Sequence, residues 1–353
     1  MAAAIAAVTP EKEEELVRVQ VLAESKISKL PERYIQPPST RPTPSSTSRS
    51  PSSIPVVDLC DPQSDWQIDQ ACLQWGAFRI INHGVSVDDI KNIALGFFRD
   101  TPLEVKMRYK CPDVGFASEG YGSLMVANSE VVSDWRDYFD HHTLPMSRRK
   151  VENWPEFPSN YRKIMAEYSE NMKKLAQRLL SIISKNLGLK SSYIEEVIGD
   201  VHQNIVFNYY PPCPQPDLVL GLQAHSDMGA VSLLVENDVC GLEFLKDGEW
   251  VLAHPLPDAI TVILADQTEI LSNGRYKSAI HRALVNAKLS RLSIATFYDP
   301  PKSTTIAPAF ELINSPNSHP QYRGVTYGDF VSNWYGDGPD GKRTLDALRI
   351  FSK

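Results

Sequence analysis

The chain has 353 residues, 42% of them hydrophobic and 22% charged, with a formal net charge of -7 at pH 7. This globular mixture suits one large or two intimate units, and without a Lys/Arg-rich block it excludes a nucleic-acid partner on charge. Five scattered cysteines without a CxxC pair point to a reducing compartment, and no apolar run reaches the ~18 residues of a membrane helix.

The first twenty residues lack a basic start and a long apolar stretch, so no secretory signal is expected and the chain reads as cytoplasmic. "ELVRVQVLAESKISKLPERYI" is expected to form a short helix that docks on the main body. Residues 37–54, rich in Pro, Ser and Thr, read as a mobile linker. "IPVVDL" is a β-branched run and a good first strand. "ACLQWGAFRIINHG" reads as the end of a helix, a glycine break and a second strand.

A long helix is predicted at about 158–187. Ile164, Tyr168, Met172, Leu175, Leu179, Ile182 and Ile183 recur with a 3.6-residue period, and Gly188 supplies a stop. Beyond about residue 200, "NIVFNYY", "LVLGLQAH", "AVSLLVE", "GLEFLKDGEWVLA", "ITVILADQ", "SAIHRALVN" and "RLSIATFY" are short apolar runs separated by turn residues. They predict a β-sandwich or barrel. The fold class is therefore α+β with a mainly β core. The division expected is 1–53 for the N-terminal helix and linker, 54–190 for an α-rich region, 200–310 for a β catalytic domain, and 311–353 for a tail packed on the core.

His225 ends the second of those runs, and Asp227 follows two residues later, before the third. Residues two apart on a strand share a face, so the pair can converge on one point. By itself the pair fits equally a His hydrogen-bonded to a neighbouring carboxylate. His281, 54 residues after Asp227, lies in another β run, and Arg291 and Ser293 follow ten residues later as an RxS. Two His and one carboxylate make the facial triad of non-haem Fe(II) oxygenases, which leaves open positions on the metal. Arg291 offers a planar fork for a carboxylate, and the Ser293 hydroxyl can share it.

With these residues in place the sequence resembles the plant soluble 2-oxoglutarate- and Fe(II)-dependent dioxygenases, which include flavonoid, gibberellin and jasmonate oxidases. The resemblance runs through "IPVVDL", "WGAFRIINHG", "GYG", "WRDYF", "NYYPPCPQPDLVLGLQAHSD", "LADQTEILSNGRYKSAIHR" and "RLSIATFYDPP". It implies a distorted double-stranded β-helix, or jelly roll, with flanking helices. It also implies that His225, Asp227 and His281 ligate iron and that Arg291 and Ser293 bind the distal carboxylate of 2-oxoglutarate, with Asn208 and Tyr210 as further contacts. On the residues alone, Tyr210 fits a core aromatic equally well. Phe297, Val206, Tyr121 and Tyr138 match substrate-side positions, although a bare aromatic such as Phe297 also suits the core. His83, His141, His142, His202, His254 and His319 have no partner at useful spacing and read as structural or surface groups.

The implied reaction consumes 2-oxoglutarate and dioxygen, releases succinate and carbon dioxide, and hydroxylates or desaturates a small metabolite, with ascorbate as an accessory reductant. Val206 stands where some relatives carry Lys or Arg, so a largely hydrophobic substrate is expected, such as a terpenoid, a gibberellin-like precursor or a phenylpropanoid. Two other readings remain: an ascorbate-dependent oxidase of the same fold, and a non-catalytic, metal-stabilised small-molecule binder. The molecule is expected to be a monomer without a membrane partner.

Overall fold

A computed structural model describes residues 17–42, 53–111, 119–124, 132–314, 318–338 and 341–350. Most of the stretch expected to be a linker, residues 43–52, lies outside the described residues. In chain order the elements that place the site begin with α1 (Val19–Glu24), β1 (Val56–Asp58), α2 (Ser64–Gln74), β2 (Ala77–Ile81) and α3 (Asp88–Leu95). They continue with β3 (Gly120–Gly122), β4 (Asp137–Leu144), α4 (Tyr161–Asn186), β5 (His202–Tyr210), β6 (Leu222–His225), β7 (Val231–Glu236) and β8 (Leu242–Lys246). Then come β9 (Glu249–Ala253), β10 (Ile260–Leu264), α5 (Asp266–Leu271), β11 (His281–Ala283), β12 (Arg291–Asp299) and α6 (Tyr327–Asp337).

Two sheets face each other, one of eight strands in the order β1-β2-β10-β7-β12-β5-β4-β3 and one of four in the order β6-β11-β8-β9. All pairings are antiparallel except β1 with β2. This is the jelly roll with flanking helices that the sequence led us to expect. Strands of the first half (β1 to β4) and of the second half (β5, β7, β10, β12) share the larger sheet.

The period-2 rule explains how that sheet makes both a core and a cavity. On β12, Leu292, Ile294 and Tyr298 join the main core, and α4 packs on β7 and β12 from that side. The intervening Arg291, Ser293, Ala295, Phe297 and Asp299 face the space between the sheets. α4 keeps Tyr168, Met172, Leu175, Leu179, Ile182 and Ile183 buried, as its stripe predicts, with Ile164 half-buried at the edge. It runs Tyr161–Asn186 and ends where Gly188, at φ 79°, turns the chain out of the helix. One end of the interlayer space is filled by Leu234, Ile263 and Ala295 against Leu242, Phe244 and Ala253. The rest is open.

The N-terminal helix does dock. Its first two amides, on Val19 and Gln20, donate to the buried Asp137 carboxylate at 2.9 Å each, so β4 caps α1. Among the described residues, no helix is long and apolar enough to cross a membrane.

Candidate active site

His225 ends β6 and His281 begins β11, directly opposite it in the antiparallel register. Such a pair brings side chains together on one face, and the two imidazole centroids lie 4.3 Å apart. Asp227 arrives differently from the expectation. The strand stops at His225, so alternation does not carry Asp227 to the site; the loop before β7 turns its carboxylate back. That loop is held by backbone bonds, with the Asp266 amide donating to the Asp227 carbonyl at 2.8 Å.

The candidate ligand atoms of His225, Asp227 and His281 all lie within 4.8 Å of one another, and the three residues are buried. Asp227 Oδ1 is 3.5 Å from His225 Nε2 and 3.8 Å from His281 Nε2. Each imidazole has its Nδ1 at a backbone carbonyl, Gln223 for His225 (2.8 Å) and Ala279 for His281 (3.0 Å). Donation there fixes the tautomer that leaves Nε2 lone pairs for a metal. Burial, with His225 beside it, lowers the His281 pKa to about 4, so the ring is neutral at physiological pH. Burial pushes the Asp227 carboxyl up, but the charge of His281 and the contact with His225 outweigh it and bring it to about 2. Two imidazoles and one carboxylate fit Fe(II).

Arg291 is buried beside this triad. Its Nη2 meets Glu236 Oε1 at 2.5 Å, its guanidinium carbon sits 5.0 Å from the Tyr210 ring centre, and Nε and Nη1 have no partner. A buried guanidinium with open donors fits a carboxylate-bearing cosubstrate. Gly241 makes the room: a Cβ there would stand 2.6 Å from Arg291 Cδ and 2.9 Å from the Leu284 carbonyl oxygen. Ser293 and Asn208 face each other across β12 and β5, as do Arg291 and Tyr210. The Asn208 carbonyl oxygen accepts from Arg136 Nη1 at 2.6 Å, which sets the orientation of its amide.

These groups line a cavity of about 790 Å³. Along β5 and β12 its wall changes character in order. Tyr210, Asn208, Arg291 and Ser293 come first, then Val206, Ala295 and Phe297, then Asn204, His202 and Asp299. Asp140 on β4, Arg148 and Lys302 join the last group, and α6 closes one side with Tyr327, Val331, Trp334 and Tyr335. The lining is mainly apolar, in keeping with the expectation drawn from Val206 and Phe297, and its polar side chains gather toward the two ends.

Tyr138 lines the cavity with Phe297 and Val206, but Tyr121 does not. Tyr121 neighbours Gly122 and points to the other face of β3, where it packs against Phe97 and Phe98 and its hydroxyl donates to Asp137. His202, expected to be structural or at the surface, is a cavity residue. His141 is structural, bonded to the Ile205 carbonyl and the Tyr161 hydroxyl. Arg136, Asp140 and Asp299 escaped the sequence reading, although Asp299 stands two residues beyond Phe297 on the same inward row. That spacing was the available signal.

Residues 201–300 match the model of the 2OG-Fe(II) oxygenase superfamily, and residues 54–160 match that of the non-haem dioxygenase in morphine synthesis N-terminal family. Jasmonate-induced oxygenase 1 of Arabidopsis thaliana is 38% identical over 95% of this chain and 86% of its own. Thebaine 6-O-demethylase of Papaver somniferum is 36% identical over 95% and 96%. The crystal structure of JOX2 in complex with 2OG, Fe and JA superposes with a TM-score of 0.87 at 37% identity, covering 96% of this chain and 99% of that one.

Proposed function

The chain belongs to the 2OG-Fe(II) oxygenase superfamily, and from that premise we propose which residues hold each reactant and what form of substrate the cavity admits. It is a 2-oxoglutarate- and Fe(II)-dependent oxygenase of the plant type, acting on small metabolites or hormones. In our reading His225, Asp227 and His281 hold Fe(II), and Arg291 and Ser293 bind the far carboxylate of 2-oxoglutarate. Tyr210 flanks that guanidinium, and Arg136 holds Asn208 toward the cosubstrate. When bound, the iron with 2-oxoglutarate and dioxygen supplies the oxidation of a substrate C–H bond, and 2-oxoglutarate leaves as succinate and carbon dioxide.

The chain's own task is placement and the exclusion of water. Val206, Ala295 and Phe297 receive an apolar body, and α6 walls the site with aromatic rings. Asn204, His202, Asp140 and Asp299 receive a polar end. The substrate is therefore an amphipathic hormone or specialised metabolite rather than a wholly apolar one.

One observation carries this reading: three ligand atoms gathered within 4.8 Å beside a buried arginine, in one cavity. The test is anaerobic loading of the protein with Fe(II) and 2-oxoglutarate, watching the visible charge-transfer band of the pair. We expect a band in the wild type and none in His225→Ala, after which amphipathic metabolites can be screened by succinate release. A folded, iron-loaded wild type without a band would overturn the assignment.

A further inference from the structure

α5 supplies none of the three proposed ligands, yet it bonds the Asp227 backbone and is tied to segments beside His281 and His225. All six of its residues are buried. Its first turn grips the Asp227 loop: the Asp266 amide donates to the Asp227 carbonyl (2.8 Å) and the Gln267 amide to that of Gly229 (2.9 Å). The Gln267 side chain donates to the Met228 carbonyl (3.0 Å), and Thr268 Oγ1 to that of Ala230 (2.7 Å). Ser278, three residues before His281, donates through its hydroxyl to Asp266 Oδ1 (2.6 Å) and through its amide to Glu269 Oε2 (2.7 Å).

The third attachment comes from the far end of the chain. Gly341 runs beside His225 in a parallel bridge, its amide donating to the Ala224 carbonyl (3.0 Å) and its carbonyl accepting from the Ser226 amide (3.1 Å). The next residue, Lys342, reaches Glu269 Oε2 with its ammonium at 2.5 Å. Glu269 is wholly buried and is also met by Tyr322 (2.5 Å), Lys277 (3.3 Å) and Arg349 (3.3 Å). A carboxylate with so many donors stays ionised; burial pushes it up, but Lys342 and the other donors bring it to about 2.

We propose that Lys342 is a positioning residue of the iron centre: by pairing with Glu269 it fastens the C-terminal strap at Gly341 against His225, and so holds His225 in register with Asp227 and His281. The proposal rests on the assignment of those three residues to iron. Partners outside the ligand sphere that orient ligands typically change metal affinity by about 10–100-fold when removed. Lys277 provides the comparison, because it meets the same carboxylate but does not adjoin the strap.

The test is anaerobic titration of Fe(II) into full-length protein holding 2-oxoglutarate, read by the charge-transfer band, for wild type, Lys342→Met, Lys342→Arg and Lys277→Met. Melting temperatures are recorded alongside. We expect Lys342→Met to weaken Fe(II) binding at least tenfold and to shift the band, Lys342→Arg to restore both, and Lys277→Met to leave both unchanged. Wild-type affinity and band in Lys342→Met would overturn the proposal. So would an equal loss in Lys277→Met, which would show only general support by Glu269. A wild type that forms no band removes the underlying iron assignment instead.

Discussion

Asp140 shows what a single cavity residue costs the fold. It is buried on β4, one carboxylate oxygen accepts from Asn204 Nδ2 at 3.3 Å, and the other has no partner. Burial, with Glu119 adding to it and Arg148 opposing, raises its pKa to about 7. An unfolded aspartate titrates near 3.9. Between about pH 4 and pH 7 the folded chain therefore holds a proton that the unfolded chain has released, and stability falls as pH rises through that window. Asp140→Asn removes the charge, so it should stabilise the metal-free protein by on the order of 1 kcal/mol or more at pH 8 and change little near pH 4. Chemical denaturation at the two pH values checks this, and an equal effect at both would refute the burial argument. The sequence did not show this residue as chemical. In "WRDYFDHH" it reads as one more polar position of a strand, and only packing against α6 and the neighbouring strands makes it a buried acid.

At the scale of elements, legibility followed locality. The long helix α4 announced itself because one stripe repeats over many turns within one stretch of chain. The strand runs after residue 200 were equally plain, and His225, His281, Arg291 and Ser293 could be placed on them. The turn from β7 to β8 was not legible, since Gly241 there reads as ordinary turn punctuation. In the structure this turn is the outer wall of the Arg291 pocket: Glu236 pairs with the guanidinium, and Gly241 lies against its aliphatic stem. Arg291 Cδ and the Leu284 carbonyl leave no space for a methyl group. Overpacking of this kind forces off-rotamer side chains at roughly 1–3 kcal/mol. Gly241→Ala should therefore displace the arginine and weaken 2-oxoglutarate binding about tenfold or more, while Fe(II) alone binds as in the wild type. Separate titrations of iron and cosubstrate decide it, and parallel losses in both would show a general disturbance of the barrel rather than a specific one at Arg291.

Over the whole molecule, the features missed by sequence reasoning are those joined across great sequence distance. Arg18 enters the cavity from the N-terminal segment, and Lys342 reaches α5 from the other end. No periodicity encodes such meetings. The same non-local wiring bears on the proposed division into a region at 54–190 and a catalytic region at 200–310. β10 pairs with β2 through Ile260 to Ile263, and β5 pairs with β4 along most of its length. Cutting near residue 200 would bare both edges of the remaining large-sheet strands, which invites association with other chains. It would leave the first region with only the pairs β1–β2 and β3–β4, and isolated two-stranded units are marginal in water. The full chain should then unfold in one cooperative transition, and a fragment of residues 200–310 should show none and bind no Fe(II), despite containing all three proposed ligands. Coincident far-ultraviolet circular dichroism and tryptophan fluorescence transitions test the first statement. A fragment that melts cooperatively and loads iron would mean that the second half is a domain in its own right, with β2 and β4 as additions to a sheet that closes without them.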